Sequence, residues 1–142
     1  MPTASYNKFN QFVEDIAHGV HDLSSDQLVV ALCTNANAPT ATDAVLADLT
    51  PIAYTNLSSR NITTSTSEQT SGTYKLTLTD LTLTASGGAV ATFRHVVIYN
   101  DTPSSPADPL IAYFDYGSDL TLGDGDSITL DFSAANGLLQ LD

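Results

Sequence analysis

The sequence predicts an all-β domain: an antiparallel β-sandwich, jelly-roll or immunoglobulin-like, with one short N-terminal α-helix. From residue 27 onward, short runs rich in Val, Ile, Leu, Tyr and Phe recur, and Gly, Asn, Asp and Pro turn signals separate them at regular spacing. A length of 142 residues fits one domain. We therefore expect a single domain over residues 1–142. Residues 1–20 form a helix or arm, and residues 27–142 form a sandwich of about seven to nine strands.

An apolar stripe near the N-terminus predicts the helix. Its members follow the i, i+3, i+4, i+7 spacing of one helical face, and they are Phe9, Phe12, Val13 and Ile16. Ser5 is the expected N-cap and Gly19 the expected C′ residue. Because so short a helix is marginal alone in water, the stripe must pack either on its own sheet or on a partner subunit. These four residues are therefore the candidate partner-contact residues.

The first half of the sandwich is predicted from one continuous apolar run and one alternating run. The run QLVVALCT at 27–34 indicates a buried strand, and 42–49 indicates a short helical turn. Residues 55–73 are mostly Asn, Ser and Thr, which favours short edge strands and loops. The leucines of TYKLTLTDLTLTA change from even to odd positions, so we expect a bulge or corner near Thr79-Asp80 that returns both sets to one core.

Two apolar segments, at 93–100 and 111–117, are the expected central strands, joined by a proline-rich loop. Both faces of each segment are largely apolar, as in a strand covered on two sides. In the first segment one expected face consists of Phe93, His95, Val97 and Tyr99. In the second, Ile111, Tyr113 and Asp115 are expected to share a face. Gly87-Gly88 is the expected hairpin turn into the first segment, and Gly117 the expected end of the second.

The charge balance excludes several classes of partner. Sixteen acidic residues face four basic ones, which gives a net charge of −12. The basic residues are scattered, so neither nucleic acid nor an anionic membrane surface is an expected partner. The single cysteine, Cys33, is expected to be a small buried hydrophobe, and it can form no intrachain disulfide. The first residues lack the features of a secretory signal, and no long apolar run is present, so we expect synthesis and retention in the cytoplasm.

Histidine spacing does not predict a metal site. His18 and His21 stand three residues apart, but Gly19 is expected to end the helix between them, and no third ligand is nearby. His95 is expected to be a hydrogen-bonded core histidine. We therefore expect no bound metal.

Acidic residues do not predict a catalytic or calcium site. Asp119, Asp124 and Asp126 lack the spacing of an EF-hand, so they are expected to form a polar hairpin connection. Asp115 lies beside two tyrosines but lacks the second positioned carboxylate that acid–base hydrolysis requires. We expect no catalytic residue, no cofactor and no enzymatic activity.

Three blocks of sequence resemble small virion proteins encoded among the head and tail genes of tailed bacteriophages. They are YNKFNQFVEDIAHGVHDL with QLVVALCTNANAPTAT, SEQTSGTYKLTLTDLTLTASGGAVATFRHVVIYND, and DPLIAYFDYGSDLTLGDGDSITLDFSAANGLLQL. The resemblance implies a non-enzymatic structural protein of the virion, a decoration (cement) protein on the capsid surface, assembled in the host cytoplasm. Its implied partner is the major capsid protein, and a homo-oligomer is expected.

Two other functions remain open. A tail or baseplate structural component would share the resemblance to virion proteins. A carbohydrate-binding module would present aromatic side chains on an exposed face, with Tyr54, Tyr113 and Tyr116 as candidates. The absence of Trp and the position of most aromatic residues in expected core strands disfavour this last function.

Overall fold

The computed structural model describes residues 3–142 and has the predicted all-β architecture with one short helix. Helix α1 comprises Asn10–Ala17, and two single-turn 3₁₀ helices comprise Asn35–Asn37 and Leu46–Asp48. The strands are β1 (Asn7–Lys8), β2 (Leu28–Cys33), β3 (Asn61–Ile62), β4 (Thr64–Thr70), β5 (Thr73–Leu78), β6 (Leu81–Thr84), β7 (Phe93–Asn100), β8 (Leu110–Leu120), β9 (Ser127–Leu130) and β10 (Leu139–Leu141). These ten strands exceed the expected seven to nine, because β1 and β3 are pairings of only two residues.

The strands form antiparallel sheets in two layers around one main core. The five-stranded sheet has the order β1-β8-β7-β2-β3, and the second layer consists of a three-stranded sheet, β10-β5-β4, and a two-stranded sheet, β6-β9. One cluster of buried side chains connects Leu28 and Ile98 of the five-stranded sheet with Leu76 of β5 and Leu83 of β6. The predicted antiparallel sandwich is therefore confirmed.

The outer face of the five-stranded sheet carries a second, smaller core. Its buried members are Phe9, Val29, Ala31, Cys33, Val97, Tyr99 and Leu110. Leu46 and Leu49, in the connection after β2, pack against it. Every residue of β2 is consequently buried, which agrees with its continuous apolar sequence.

Irregular pairing between β7 and β8 changes which side chains share a face. The register shifts between Phe93 and His95, and Phe93 packs in the main core while Val97 packs in the second core. A second shift separates Ile111, in the main core, from Tyr113, which packs against the second. The faces expected for Phe93 and Ile111 were therefore wrong, because a bulge reverses the alternation that strict period-2 counting assumes.

The parity change in the leucines of β5 and β6 marks a corner, as predicted. Leu76 and Leu83 lie in the same core although their strands belong to different sheets. At the corner, an Asp80 carboxylate oxygen accepts a hydrogen bond of 2.9 Å from the backbone N–H of Phe132. Asp80 therefore ties the corner to the segment that follows β9.

Two connections expected to be hairpins instead cross between sheets. Strand β6 pairs with β9 and not with β7, so Gly87-Gly88 begins a crossing from the two-stranded to the five-stranded sheet. The connection from β8 to β9 crosses back. It is polar, as expected: Asp124 accepts a hydrogen bond from Gly87 N–H and Asp126 accepts one from Gly123 N–H. Local turn signals do not specify which strand is the partner, and the hairpin predictions failed for that reason.

Two predicted element ends also differ. Helix α1 does not begin after Ser5, because Asn7 and Lys8 pair with β8 and occupy the N-cap region with an extended chain. Strand β8 continues past Gly117, which adopts φ +94° within it. Gly19, at φ +73° after the end of α1, is the predicted C′ residue. Within residues 3–142, no helix has the length and apolar character needed to cross a membrane.

Candidate functional site

An apolar groove between α1 and β10 is the candidate functional site. Among residues 3–142, three large apolar side chains are exposed: Tyr6 at 39%, Val13 at 52% and Leu141 at 43%. All three line one groove of about 720 Å³. A surface on which exposed apolar side chains gather in one place is typical of an interaction site.

Helix α1 forms one wall of the groove and is anchored in its own domain. Phe12 is 3% exposed and packs in the main core, where its ring lies 5.2 Å from the imidazole of His21, centroid to centroid. Ile16 is half-buried against the same core. Val13, one residue after Phe12, projects outward. Phe12, Val13 and Ile16 all line the groove, and Val13 presents the largest exposed fraction.

Phe9 does not belong to this surface. It precedes the helix, is fully buried, and packs in the second core with its ring centroid 4.8 Å from that of Tyr113. The prediction that Phe9 shares a partner-contact stripe with the other three residues is therefore corrected. The short β1 pairing causes the difference, since it holds Phe9 beside the five-stranded sheet, where its N–H donates to the Ile111 carbonyl.

Strand β10 forms the opposite wall and is an edge strand. It pairs with β5, and within residues 3–142 no strand pairs with its other side. The chain enters β10 through Gly137, at φ +73°, and Leu138 N–H then donates to the Leu76 carbonyl at 2.7 Å. A Cβ at position 137 would lie 2.5 Å from that same carbonyl oxygen. Gly137 therefore determines how closely β10 docks on β5.

Replacing Gly137 by Ala should destabilise the domain by about 1–3 kcal/mol and free β10 first, because the backbone carbonyl of Leu76 must move. Gly72→Ala is the matched control: φ is +89° there, but an added Cβ would meet no described atom within 4 Å. Urea unfolding and hydrogen exchange of the β10 amides would measure both effects. If both variants lose the same free energy of unfolding, the contact between a Cβ at position 137 and the Leu76 carbonyl is not the cause.

The groove differs in charge from the rest of the protein. Lys8 lies in its lining, and the lining residues that the structure describes include no carboxylate. Lys75, opposite Gln140 on the neighbouring strand, donates to the Ala135 carbonyl at 3.2 Å. Two of the four basic residues thus lie in or beside the groove of a chain with net charge −12.

The tyrosines proposed for carbohydrate binding do not form one platform. The hydroxyl of Tyr54 accepts a hydrogen bond from Leu32 N–H, and the Arg60 guanidinium stacks on its ring at 3.7 Å. Tyr113 packs on the second core, on the other side of the five-stranded sheet. Tyr116 lines a separate pocket of about 430 Å³ with Phe114 and other residues. Their separation gives no support to a stacking surface for a sugar.

A buried polar cluster connects the segment after α1 to β7. The side chain of Asn100 is fully buried; its Nδ2 donates to Asp26 at 2.6 Å and to His21 Nδ1 at 3.1 Å, and its Oδ1 accepts from Thr102 N–H. The Thr102 N–H and the Asp26 carboxylate fix the orientation of the amide. His21 Nδ1 must therefore accept, which requires the neutral imidazole with its proton on Nε2.

Burial lowers the pKa of His21 below its ordinary value of 6.5, against the opposing influence of Asp15 and Asp26. Because the unfolded chain binds the proton first, stability is complete above pH 6.5 and is lost as the pH falls from there through the lowered pKa of the folded state. We expect the free energy of unfolding to decrease between pH 7 and pH 5.

In His21→Gln, the free energy of unfolding should no longer decrease between pH 7 and pH 5. His18→Gln should keep this decrease, since the His18 side chain is exposed, lies 3.6 Å from the Glu14 carboxylate and takes no part in the hydrogen bonds of the cluster. Denaturant unfolding at several pH values would test both variants. A slope that persists in His21→Gln would assign the sensitivity to other groups.

Asp115, Cys33 and His95 lie outside the groove and the buried cluster. Asp115 accepts two hydrogen bonds from Arg94, at 2.8 and 3.2 Å, which lower its pKa to about 2 and keep it ionised at neutral pH. Burial raises the pKa of Cys33 to about 11, so its thiol stays protonated. His95 is buried, with Nε2 3.4 Å from Asn35 Oδ1. Within residues 3–142, no three His, Cys, Asp or Glu side chains are grouped to hold a metal ion.

No family model, curated protein or solved structure matches this chain.

Proposed function

We propose that the protein is a non-enzymatic structural component of a tailed-phage virion, a decoration (cement) protein that binds the outside of the assembled capsid. Its partner in this proposal is the major capsid protein. The supporting observation is the gathering of Tyr6, Val13 and Leu141 in one groove beside an edge strand, on an otherwise acidic surface. Such a surface suits protein–protein contact. The assignment to a phage particle rests on the sequence resemblance.

In this proposal the groove makes contacts between subunits, and two largely exposed segments make contacts with the capsid. The segments are residues 56–73 and 102–108. The first contains β4, an edge strand of seven residues whose side chains are Thr, Ser, Gln and Glu. Its free main-chain groups could pair with a strand of the shell. Most of residues 102–108 are exposed, and a bridge between Ser104 and Ala107 closes the loop.

The number of copies per particle tests the proposal. Quantitative mass spectrometry of purified virions of the encoding phage should give hundreds of copies, as expected for a protein that decorates the shell. A few to a few dozen copies would place it in the tail or baseplate instead. Virions that contain none of it would overturn the proposal.

Binding to undecorated capsids should survive moderate salt. Close contacts of a protein with net charge −12 must be mainly apolar or hydrogen-bonded, and these are weakly screened. We expect retained binding between about 0.05 and 0.5 M NaCl, over which the Debye length falls well below about 10 Å. Co-sedimentation with capsids would measure it. Release within this range would show that a basic patch of the shell holds the protein by charge.

A further inference from the structure

We propose that the groove is the contact between two copies of this chain, which pair β10 with β10 in antiparallel orientation across a two-fold axis. The inference rests on the proposed function, because it names the occupant of the interaction groove. Three features of the described residues carry it: the open edge of β10, the alternation of its side chains, and the local charge.

The open edge determines the shape of the occupant. The groove lies between β10 and α1, and β10 has one hydrogen-bonded neighbour, β5. A strand added on the free side of β10 would satisfy its unpaired main-chain groups and lie along the groove. The occupant is therefore an extended segment.

The alternation determines its side chains. Successive residues of a strand point to opposite faces, so an added strand must present apolar residues to the groove at every second position and a polar residue between them. Strand β10 has this pattern itself: Leu139 is buried, Gln140 is exposed, and Leu141 is the exposed leucine of the groove. A second β10 fits the requirement. The pairing would join two three-stranded sheets into one of six strands and cover the free side of β10 in both copies, which leaves β4 at the two outer edges.

The local charge determines where two copies can meet. Copies that each carry −12 repel one another over most of their surface. The groove contributes Lys8 and, among its described lining residues, no carboxylate, and Lys75 lies on the adjoining strand. With Gln140 opposite Gln140, each Asp142 lies at a different end of the ladder, opposite Leu138 of the other copy. The two copies therefore approach with little local repulsion.

Sedimentation velocity of the purified full chain over a wide concentration range tests the pairing. The wild-type protein should show a dimer whose fraction rises with concentration. Leu141→Asp and Val13→Asp should each weaken dimerisation by about tenfold or more, because each places a carboxylate in the apolar contact. Thr66→Asp, on the exposed edge strand β4, adds the same charge and should leave dimerisation unchanged.

A cross-link tests the register. Gln140→Cys should form a disulfide between two copies in glutathione disulfide, which is reduced as the two thiols are oxidised. Thr66→Cys should not cross-link, and the native Cys33 is buried. A wild-type protein that stays monomeric at every concentration, or a dimer that Leu141→Asp leaves intact, would overturn the inference.

The failures of the two proposals are distinguishable. Virions that lack the protein would end the proposed function while leaving a β10 dimer in solution intact. If the free protein is monomeric and Leu141→Asp instead abolishes capsid binding, a segment of the shell occupies the groove. That result would overturn the pairing of copies and retain the decoration function.

Discussion

Phe12→Asp should destabilise the protein by at least about 3–5 kcal/mol, whereas Val13→Asp, one residue later, should change stability by less than about 0.5 kcal/mol. Phe12 is 3% exposed and packs in the main core against His21, so the substitution removes a buried ring and buries a carboxylate. Val13 is 52% exposed on the same helix. The pair therefore separates the anchoring face of α1 from its outward face.

Urea unfolding at pH 7, at a protein concentration low enough that the wild-type chain is monomeric, would measure both variants without a contribution from dimerisation. For a chain of this size, a loss of several kcal/mol should lower the melting temperature by about 10 °C or more. If Phe12→Asp unfolds at the wild-type urea concentration, α1 is not anchored on its own domain, and the stripe would be free to reach a neighbour. If Val13→Asp is as damaging as Phe12→Asp, the outward face is also part of the core.

The positions of the strands could be predicted from the sequence because buried strands require apolar residues, and these form recognisable runs. Strand β2 reads as six consecutive apolar residues and is buried over its full length. The corner at Thr79-Asp80 could be predicted from the parity of the leucines on either side. The sequence pattern does not indicate which strands pair with each other. Gly87-Gly88 has the composition of a hairpin turn, yet the partner of β6 is β9, more than forty residues further along the chain.

The groove could be predicted in part. Helical periodicity identified Phe12, Val13 and Ile16, which line it. The same periodicity included Phe9 wrongly, because a two-residue pairing with β8 takes priority over one more turn of helix. Tyr6 and Leu141 were missed.

Tyr6 and Leu141 meet in the groove because the segments that contain them pack side by side. Hydrophobic periodicity within one segment cannot show such a contact. The buried cluster was missed for a similar reason. The sequence places His21 beside His18, whereas its hydrogen-bond partner, Asn100, lies 79 residues away along the chain.

Within the buried cluster of Asn100, Asp26 and His21, Asn100→Asp should destabilise the protein by about 3–5 kcal/mol at pH 7, although the two side chains have nearly the same shape. The Asn100 amide donates to Asp26 at 2.6 Å from a fully buried position. A carboxylate cannot donate, so two like charges would face each other in an interior of low dielectric constant. Asn37→Asp, at an exposed position, is the control and should have little effect.

The pH dependence of this variant follows from the same geometry. Repulsion and burial would raise the pKa of the new carboxyl, so the destabilisation is complete above that pKa and is relieved as the pH falls through it. Once protonated, the carboxyl can donate to Asp26 and restore the bond. The difference in stability between wild type and variant should therefore shrink on acidification. A difference that stays constant from pH 7 to pH 4 would show that lost packing, not charge, is responsible.

Exchanging the two side chains gives the sharpest test. In the double variant Asp26→Asn with Asn100→Asp, the amide at position 26 donates to the carboxylate at position 100, which reverses the bond and keeps one charge in the cluster. We expect the loss of stability in the double variant at pH 7 to be smaller than the sum of the losses in Asp26→Asn and Asn100→Asp, by about 1–3 kcal/mol of coupling energy. Additive losses would mean that Asn100 and Asp26 do not interact. The hydrogen bond would then contribute nothing to holding the segment after α1 against β7.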